Sequence, residues 1–384
     1  MTPPASRRVE IGLLLALCIF LPLYEAPKNI AWAGYVIVWL ANRVRARDFG
    51  GRWDLWDTLI ALWLLSGFVI APFAALHGGE WRAALDIVRN GAVLWMLKRS
   101  RLNERELRAV LGALIASTVI GLVMGLAQLW SGTTGRLELN SVGHVNHTVI
   151  YLAIMLGVCA SWLYLGRQFP LAGAISLFML VAIFVAASRS GVGAAVITIA
   201  ALALFWWPRA RFPAAVAGAV LIAAAVLGAV GGAEVFEKQA ESVQAGHLLN
   251  FREEAWKLAM ATWQAHPWFG IGMDNFGLAS QQLSTQQLRN LMPHAHNLYL
   301  NTLAERGIVG AAAAFAVLAL WGWWLLRWRP RRDDADEVWL AWGAATSAWL
   351  VTIVVGMVNT TFHHEHGLLA ALLLGLWLPV SHRR

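Results

Sequence analysis

Apolar runs separated by short polar connectors occupy the chain from end to end. Twelve can be marked, at about 9–23, 29–42, 54–74, 81–97, 108–130, 146–165, 170–187, 190–207, 213–231, 299–326, 337–359 and 367–381. Runs of 17 or more apolar residues are long enough to cross about 30 Å of hydrocarbon as helices. The second and last runs are short, which predicts tilted or half-buried helices. The pattern therefore predicts an all-α polytopic membrane protein with about 12 transmembrane helices. Residues 1–231 hold helices one to nine, 299–384 hold helices ten to twelve, and 232–298 form one large outer loop. The first run follows Arg7-Arg8 with no small-residue cleavage site after Leu13-Leu14-Leu15, so it reads as a retained span.

Within the loop, Asn250-Phe251-Arg252-Glu253 predicts a helix start with Asn250 as cap, and Pro267 stops that helix at His266. Phe251, Ala255, Leu258 and Thr262, with Trp256, Ala259 and Trp263 alongside, make a broad apolar stripe, and Arg252 shares a face with the last three. Residues 280–292 predict a second short helix carrying Arg289. From Pro293 the pattern predicts a helix that enters the membrane. Its face holds His296, Leu300, Leu303, Gly307 and Gly310, with Asn297, Asn301 and Glu305 on the neighbouring one. The two glycines predict close approach of another helix.

Composition strengthens this picture: 59% of residues are hydrophobic and 14% charged, against about 25% charged in soluble domains. The net charge of +8 matters through its placement. Twenty of the 30 basic residues fall in alternate connectors and at the two ends, which predicts cytoplasmic termini and an outward-facing 232–298 loop. No basic patch interleaved with aromatics suits nucleic acid. Many of the 22 tryptophans lie near predicted span ends, where headgroup contact is expected. Cys18 and Cys159 lie inside apolar runs and read as small buried thiols.

The ten basic residues left on the outer side run against the charge bias. Arg82, Asp86 and Arg89 share one helix face, which reads either as a self-paired cluster or as a partly neutralised site for a lipid phosphate. Arg189, in Ser188-Arg189-Ser190-Gly191, joins two apolar runs. It reads either as a turn whose guanidinium reaches the outer surface or as an anion anchor. The Gly270-x-Gly272 turn has no preceding strand and no third glycine, which argues against a nucleotide. His144 and His147 have no evident third ligand in their loop, and His363, His364, Glu365 and His366 lie on one short strip, so no metal is expected. No cofactor is implied. His296 at a helix N-terminus would be held neutral and could serve as a general base, or it could simply cap or pack at the interface; His294 is secondary. No Ser-His-Asp set is present, and the outer carboxylates look scattered. Cations with one neutral histidine suit transfer from a pyrophosphate leaving group.

His296-Asn297, followed by Gly307-x-x-Gly310, resembles the histidine motif of bacterial O-antigen ligases and their superfamily, which includes O-antigen polymerases and protein O-oligosaccharyltransferases. Ser188-Arg189-Ser190-Gly191 resembles that superfamily's outer-end arginine. Arg252, Trp256, His266-Pro267-Trp268-Phe269-Gly270-Ile271-Gly272 and Phe276 are similar to its large periplasmic loop. The resemblance implies a fold like the C-type membrane glycosyltransferases, in the bacterial inner membrane, with the site facing the periplasm. It implies a glycan donor on undecaprenyl pyrophosphate, an acceptor hydroxyl on lipid A–core, and metal-independent, inverting transfer. His296 would be the base and Arg189 and Arg252 would hold the pyrophosphate. Arg82, Arg89, Arg289, His294 and Asn297 are further candidates for substrate contact. The short stretch after the last run and the single large outer loop favour a ligase over an oligosaccharyltransferase or a polymerase. A transporter of an anionic lipid or sugar is the reading from another class; it predicts an internal repeat, and none of the His-Asn stretch is seen in the first half.

Overall fold

A computed structural model describes residues 5–166, 169–186, 189–206, 247–283 and 293–381. The predicted ninth run, at 213–231, and the Arg289 candidate lie outside the described residues. Among those described there are thirteen α-helices: α1 (Ala5–Phe20), α2 (Glu25–Ala46), α3 (Leu55–Ile70), α4 (Glu80–Lys98), α5 (Glu104–Trp130), α6 (Val145–Tyr164), α7 (Phe169–Val185), α8 (Arg189–Trp206), α9 (His247–Ala265), α10 (Phe276–Leu283), α11 (Leu298–Arg327), α12 (Asp336–Val355) and α13 (His364–Ser381). Eleven of the predicted runs coincide with one of these. By length and composition, five stretches suffice to cross a membrane: Leu55–Phe73, Glu104–Trp130, Val145–Tyr164, Leu298–Arg327 and Asp336–Val355. Pro170–Val185 and Gly191–Leu204 are apolar but shorter.

The centre of the bundle is set by α6 and α13. Their sequences are apolar all round, which suits a helix enclosed on every side. In α13 the side chains from Glu365 to Leu378 are buried, and in α6 those from Thr148 to Ser161 are buried. The two helices pack on each other and on α12, with α4 against α13 and α8 against α6. Both begin at the same end of the bundle, which brings the connectors before them, 131–144 and 356–363, side by side.

Local chemistry fixes the helix starts at the opposite end. Asp54 and Asp57 form a reciprocal capping box on α3, and Asn103 and Glu106 form one on α5. Asp57, fully buried, accepts from Lys98 Nζ at 2.8 Å and Arg99 Nε at 3.0 Å. Arg7 reaches Glu10 at 2.6 Å and Glu106 at 3.0 Å, and Arg108 pairs with Glu337. The connectors predicted to share the cytoplasmic side are therefore tied together by ion pairs.

Several tryptophans depart from the interfacial expectation. Trp39, Trp56, Trp63, Trp321, Trp339, Trp342 and Trp377 are fully buried. Trp39 and Trp342 satisfy their indole N–H on Ser100 Oγ and Leu325 O, at 2.9 and 3.0 Å. Interhelical packing can absorb this large apolar area, with a partner for the polar edge. Trp53, Trp81, Trp130, Trp268 and Trp323 remain exposed. Cys18 and Cys159 are buried free thiols.

Candidate functional site

The histidine stretch is built differently from the expected continuous helix. Residues 293–297 form bends, and α11 starts only at Leu298. Asn297 is the cap: its Oδ1 accepts from Tyr299 N and Leu300 N at 2.9 and 3.0 Å, and its Nδ2 donates to Met357 O at 3.0 Å. Its side chain is therefore engaged in the cap and in the link to the connector before α13. Asn297→Ala should cost roughly 1–2 kcal/mol of stability, since it removes the cap; the thermal unfolding midpoint of the purified protein reads it. Asn301 and Glu305 are engaged in the same way. Asn301 Oδ1 accepts from Ala295 N at 2.9 Å, and Glu305 Oε1 accepts from Phe276 N at 3.3 Å, anchoring α10.

His296 lies one residue before the cap, in a left-handed conformation with φ 48°. It is half-buried. Burial, the Arg252 guanidinium and His144 hold it below the ordinary histidine range, while a hydrogen bond with Asn359 pulls the other way. Arg252 thus lies close enough for its charge to act on His296. Desolvation is the largest cause of this lowering. His294 is pushed down to about 4, chiefly by burial.

Helix α11 is broken. Gly307 has φ 57° and ψ −168°, which separates Leu298–Arg306 from the rest of the helix. The turn at 267–272 fills the break. Ile271 N and Gly272 N donate to Ala304 O and Glu305 O at 3.0 and 2.9 Å, and Ile308 N and Val309 N donate to Pro267 O and Trp268 O at 2.8 and 3.1 Å. Backbone freed inside a span must find partners in protein, and here it does. The same turn is clamped from the other side by the connector after α3. Leu76 N donates to Ile271 O at 3.1 Å, and buried Asn275 donates to Leu76 O at 2.8 Å. Gly307 therefore admits a loop instead of a helix. Gly310 does admit one: a Cβ there would stand 2.5 Å from Ile70 Cδ1 of α3. The loop helix α9 begins at His247, three residues before the predicted cap, and ends at Ala265 before Pro267 as expected. A short helix occupies Phe276–Leu283, and most of the predicted 280–292 helix lies outside the described residues.

These elements enclose a cavity of about 330 Å³. Arg82, Arg89, His294 and Arg306 line it, with an apolar stretch formed by Trp63, Leu298, Ala314, Phe315 and Leu318. Arg306 was not singled out from the sequence. It is buried, donates to Ser66 Oγ at 2.5 Å, and leaves Nε without a partner. Arginine inside an apolar span was the signal that could have found it. The carboxylates that looked scattered converge on the same wall: Glu25, Asp86, Asp274, Glu305 and Glu365. Fully buried Lys28 pairs with Glu365 and, at 2.6 Å, with Glu25. Arg89 stands 3.9 Å from Asp86 and 4.0 Å from Glu365. The self-paired reading of this cluster thus holds for Arg89, and a cavity lies beside it. Burial raises Asp274, while Arg82 opposes that shift.

Arg189 opens α8, and its side chain is outside the description. The backbone is placed by its neighbour Gly191, where a Cβ would fall 1.8 Å from Val149 Cγ1 in α6. The start of α8 therefore sits beside the start of α6, at the end that carries the histidines. His147 also meets the connector before α13, with ring centres 5.2 Å from His363, 4.8 Å from His364 and 5.3 Å from His366. His294 lies 5.6 Å from His363. The further imidazoles missing from the His144–His147 loop in sequence come from the 363–366 strip in space.

Residues 174–315 match a family model, Wzy_C, described as O-antigen ligase. The match runs from within α7 through the first half of α11, so it includes Arg189, Arg252, His296, Arg306 and Gly307. It supports membership of the O-antigen ligase superfamily, whose members are glycosyltransferase-like enzymes. No curated protein matches the chain.

Proposed function

We propose that this chain, through the O-antigen ligase superfamily membership that the match at 174–315 supports, transfers a polysaccharide from undecaprenyl pyrophosphate to a sugar hydroxyl of lipid A–core. The observation that carries this reading is the cavity. Its lining includes three arginines (Arg82, Arg89 and Arg306), three histidines (His294, His363 and His364) and lipid-compatible side chains such as Phe315 and Leu318. A polyprenyl pyrophosphate likewise combines a doubly charged head with an apolar tail. Arginine stays charged throughout the accessible pH range and binds phosphate oxygens with a planar fork.

In this reading Arg82, Arg89 and Arg306 hold the diphosphate as its negative charge grows on departure. Arg252, whose charge acts on His296, and Arg189 are the further candidates for holding the diphosphate. His296 takes the proton from the acceptor hydroxyl, whose oxygen attacks the anomeric carbon as the C–O bond to the diphosphate breaks. One attack from the opposite face inverts that carbon. The carboxylates along the wall suit sugar hydroxyls, as acceptors of their hydrogen bonds. The reading further assigns twelve spans, cytoplasmic termini and a periplasmic site in the inner membrane, following the charge alternation.

Purified protein supplied with lipid-linked glycan and lipid A–core tests it. Capped core is the expected product. Elongated lipid-linked chains with uncapped core would instead assign polymerase activity, and absence of both products would overturn the transferase reading.

The acid limb of transfer follows from His296. Its neutral form is the base, and burial and Arg252 hold its pKa below the ordinary value. Activity should therefore be constant through neutrality and fall only below about pH 6.5. Arg252→Ala removes a charge that opposes protonation, so the midpoint of the acid limb should move to higher pH in the residual activity. An unmoved or lower midpoint in that variant would remove His296 as the titrating base.

A further inference from the structure

We propose that His147, His363 and His366 form a three-histidine site for a borderline divalent ion such as Zn²⁺, which clasps the outer ends of α6 and α13 together. The geometry is the first ground. Three imidazoles on one tetrahedral ion, with Zn–N of about 2.0–2.1 Å, place their ring centres roughly 5 Å apart. The three observed separations are 5.2 Å (His147–His363), 5.3 Å (His147–His366) and 5.0 Å (His363–His366). One ligating nitrogen from each lies within 4.8 Å of the others. Rotation about the side-chain torsions closes that spacing to the roughly 3.4 Å of a tetrahedral ion.

The second ground is unmet hydrogen-bonding capacity. His366 is 1% exposed, and neither ring nitrogen has a partner. His147 Nδ1 is likewise buried without one. Buried polar groups are almost always satisfied, and an ion is one of the few ways to satisfy several imidazoles together. His363 shows the outer contact expected of a ligand: its Nε2 donates to Thr360 O at 2.9 Å, which leaves its Nδ1 lone pair available to an ion. Three neutral nitrogen donors without thiolate select zinc and its late first-row neighbours over magnesium or calcium.

The consequence is positional. His363 belongs both to this cluster and to the cavity wall. Asn359, which hydrogen-bonds His296, lies on the same connector. Occupancy would lock that connector against α6 and so steady one side of the cavity. The ion is not needed as a Lewis acid for this. The inference stands apart from the transferase reading, because it is read by binding alone.

The test uses tag-free, full-length protein in detergent, loaded with Zn²⁺ and dialysed, with metal counted by mass spectrometry. Wild type should retain one equivalent, and Co²⁺ loading should give the intense visible absorption of a tetrahedral site. His366→Ala, His363→Ala and His147→Asn should each lose the ion. Their affinity should drop by more than the roughly 10–100-fold that removing an outer-shell partner costs. His144→Ala, outside the triad, should retain it. His147→Asn, at a half-buried position, keeps the test open if a variant at buried His366 does not fold. Absence of retained zinc in wild type, or equal retention in folded His147→Asn, would overturn the proposal.

Discussion

His296→Asn is expected to lower glycan transfer by about 10²–10⁴-fold while leaving the protein folded. Asparagine is the informative replacement because position 296 is left-handed, with φ 48°, and asparagine tolerates that conformation better than alanine. It cannot act as a base near neutrality. The 293–297 bend is held independently of the imidazole, by Ala295 N on Asn301 Oδ1 and by Leu298 N on Gly356 O. A loss of transfer in His296→Asn with an unchanged unfolding midpoint is therefore a loss of chemistry. His296→Ala should lose as much activity, with a small added loss of stability from the strained backbone. Wild-type transfer by His296→Asn would remove the histidine from the mechanism and leave the arginine cavity as a binding site without a base.

How this site could be read from sequence differs from residue to residue. His296 and Arg252 could be singled out because each sits beside a boundary signal, a proline or a cap, in the one long polar segment. The apolar helices were legible because burial in lipid demands continuous apolar runs, which sequence shows directly. Arg306 and the break at Gly307 were not, since a helix that is interrupted and then repaired by a distant turn keeps the periodicity of a whole one. The histidine cluster was hidden for a similar reason. Periodicity along α6 and α13 says that both are enclosed, but not that they begin side by side. That adjacency is what brings His147 to His363 and His366. The five cavity carboxylates come from four helices and a turn, so spacing could not gather them either.

Gly307→Ala should be highly damaging for a single-methyl change, with a cost of about 2–6 kcal/mol and loss of most folded protein. Two separable effects combine. The conformation at Gly307, φ 57° with ψ −168°, lies close to a region that essentially only glycine occupies, and forcing another residue there costs about 1–3 kcal/mol. The added Cβ would also stand 2.3 Å from the carbonyl carbon and oxygen of Trp268. That contact is with backbone, so no side chain can swing aside, and overpacking adds roughly 1–3 kcal/mol. The reciprocal glycine gives an internal check. At Gly270, φ is 69° and a Cβ would meet Glu305 C at 2.4 Å and Ala304 O at 2.6 Å, so Gly270→Ala should fail in the same way. If these clashes push the turn out, the backbone groups of 304–309 lose the donors and acceptors of 267–272 inside the membrane-spanning bundle, where no water replaces them. The two variants should not add, because either one already undocks the turn. Gly193→Ala serves as the comparison: its Cβ meets nothing within 4 Å, and its yield and unfolding midpoint should match wild type. Near-normal yield of Gly307→Ala would mean that the turn does not dock into α11 and that the helix runs through unbroken. The cavity would then lose the wall that Met273 and Asp274 supply.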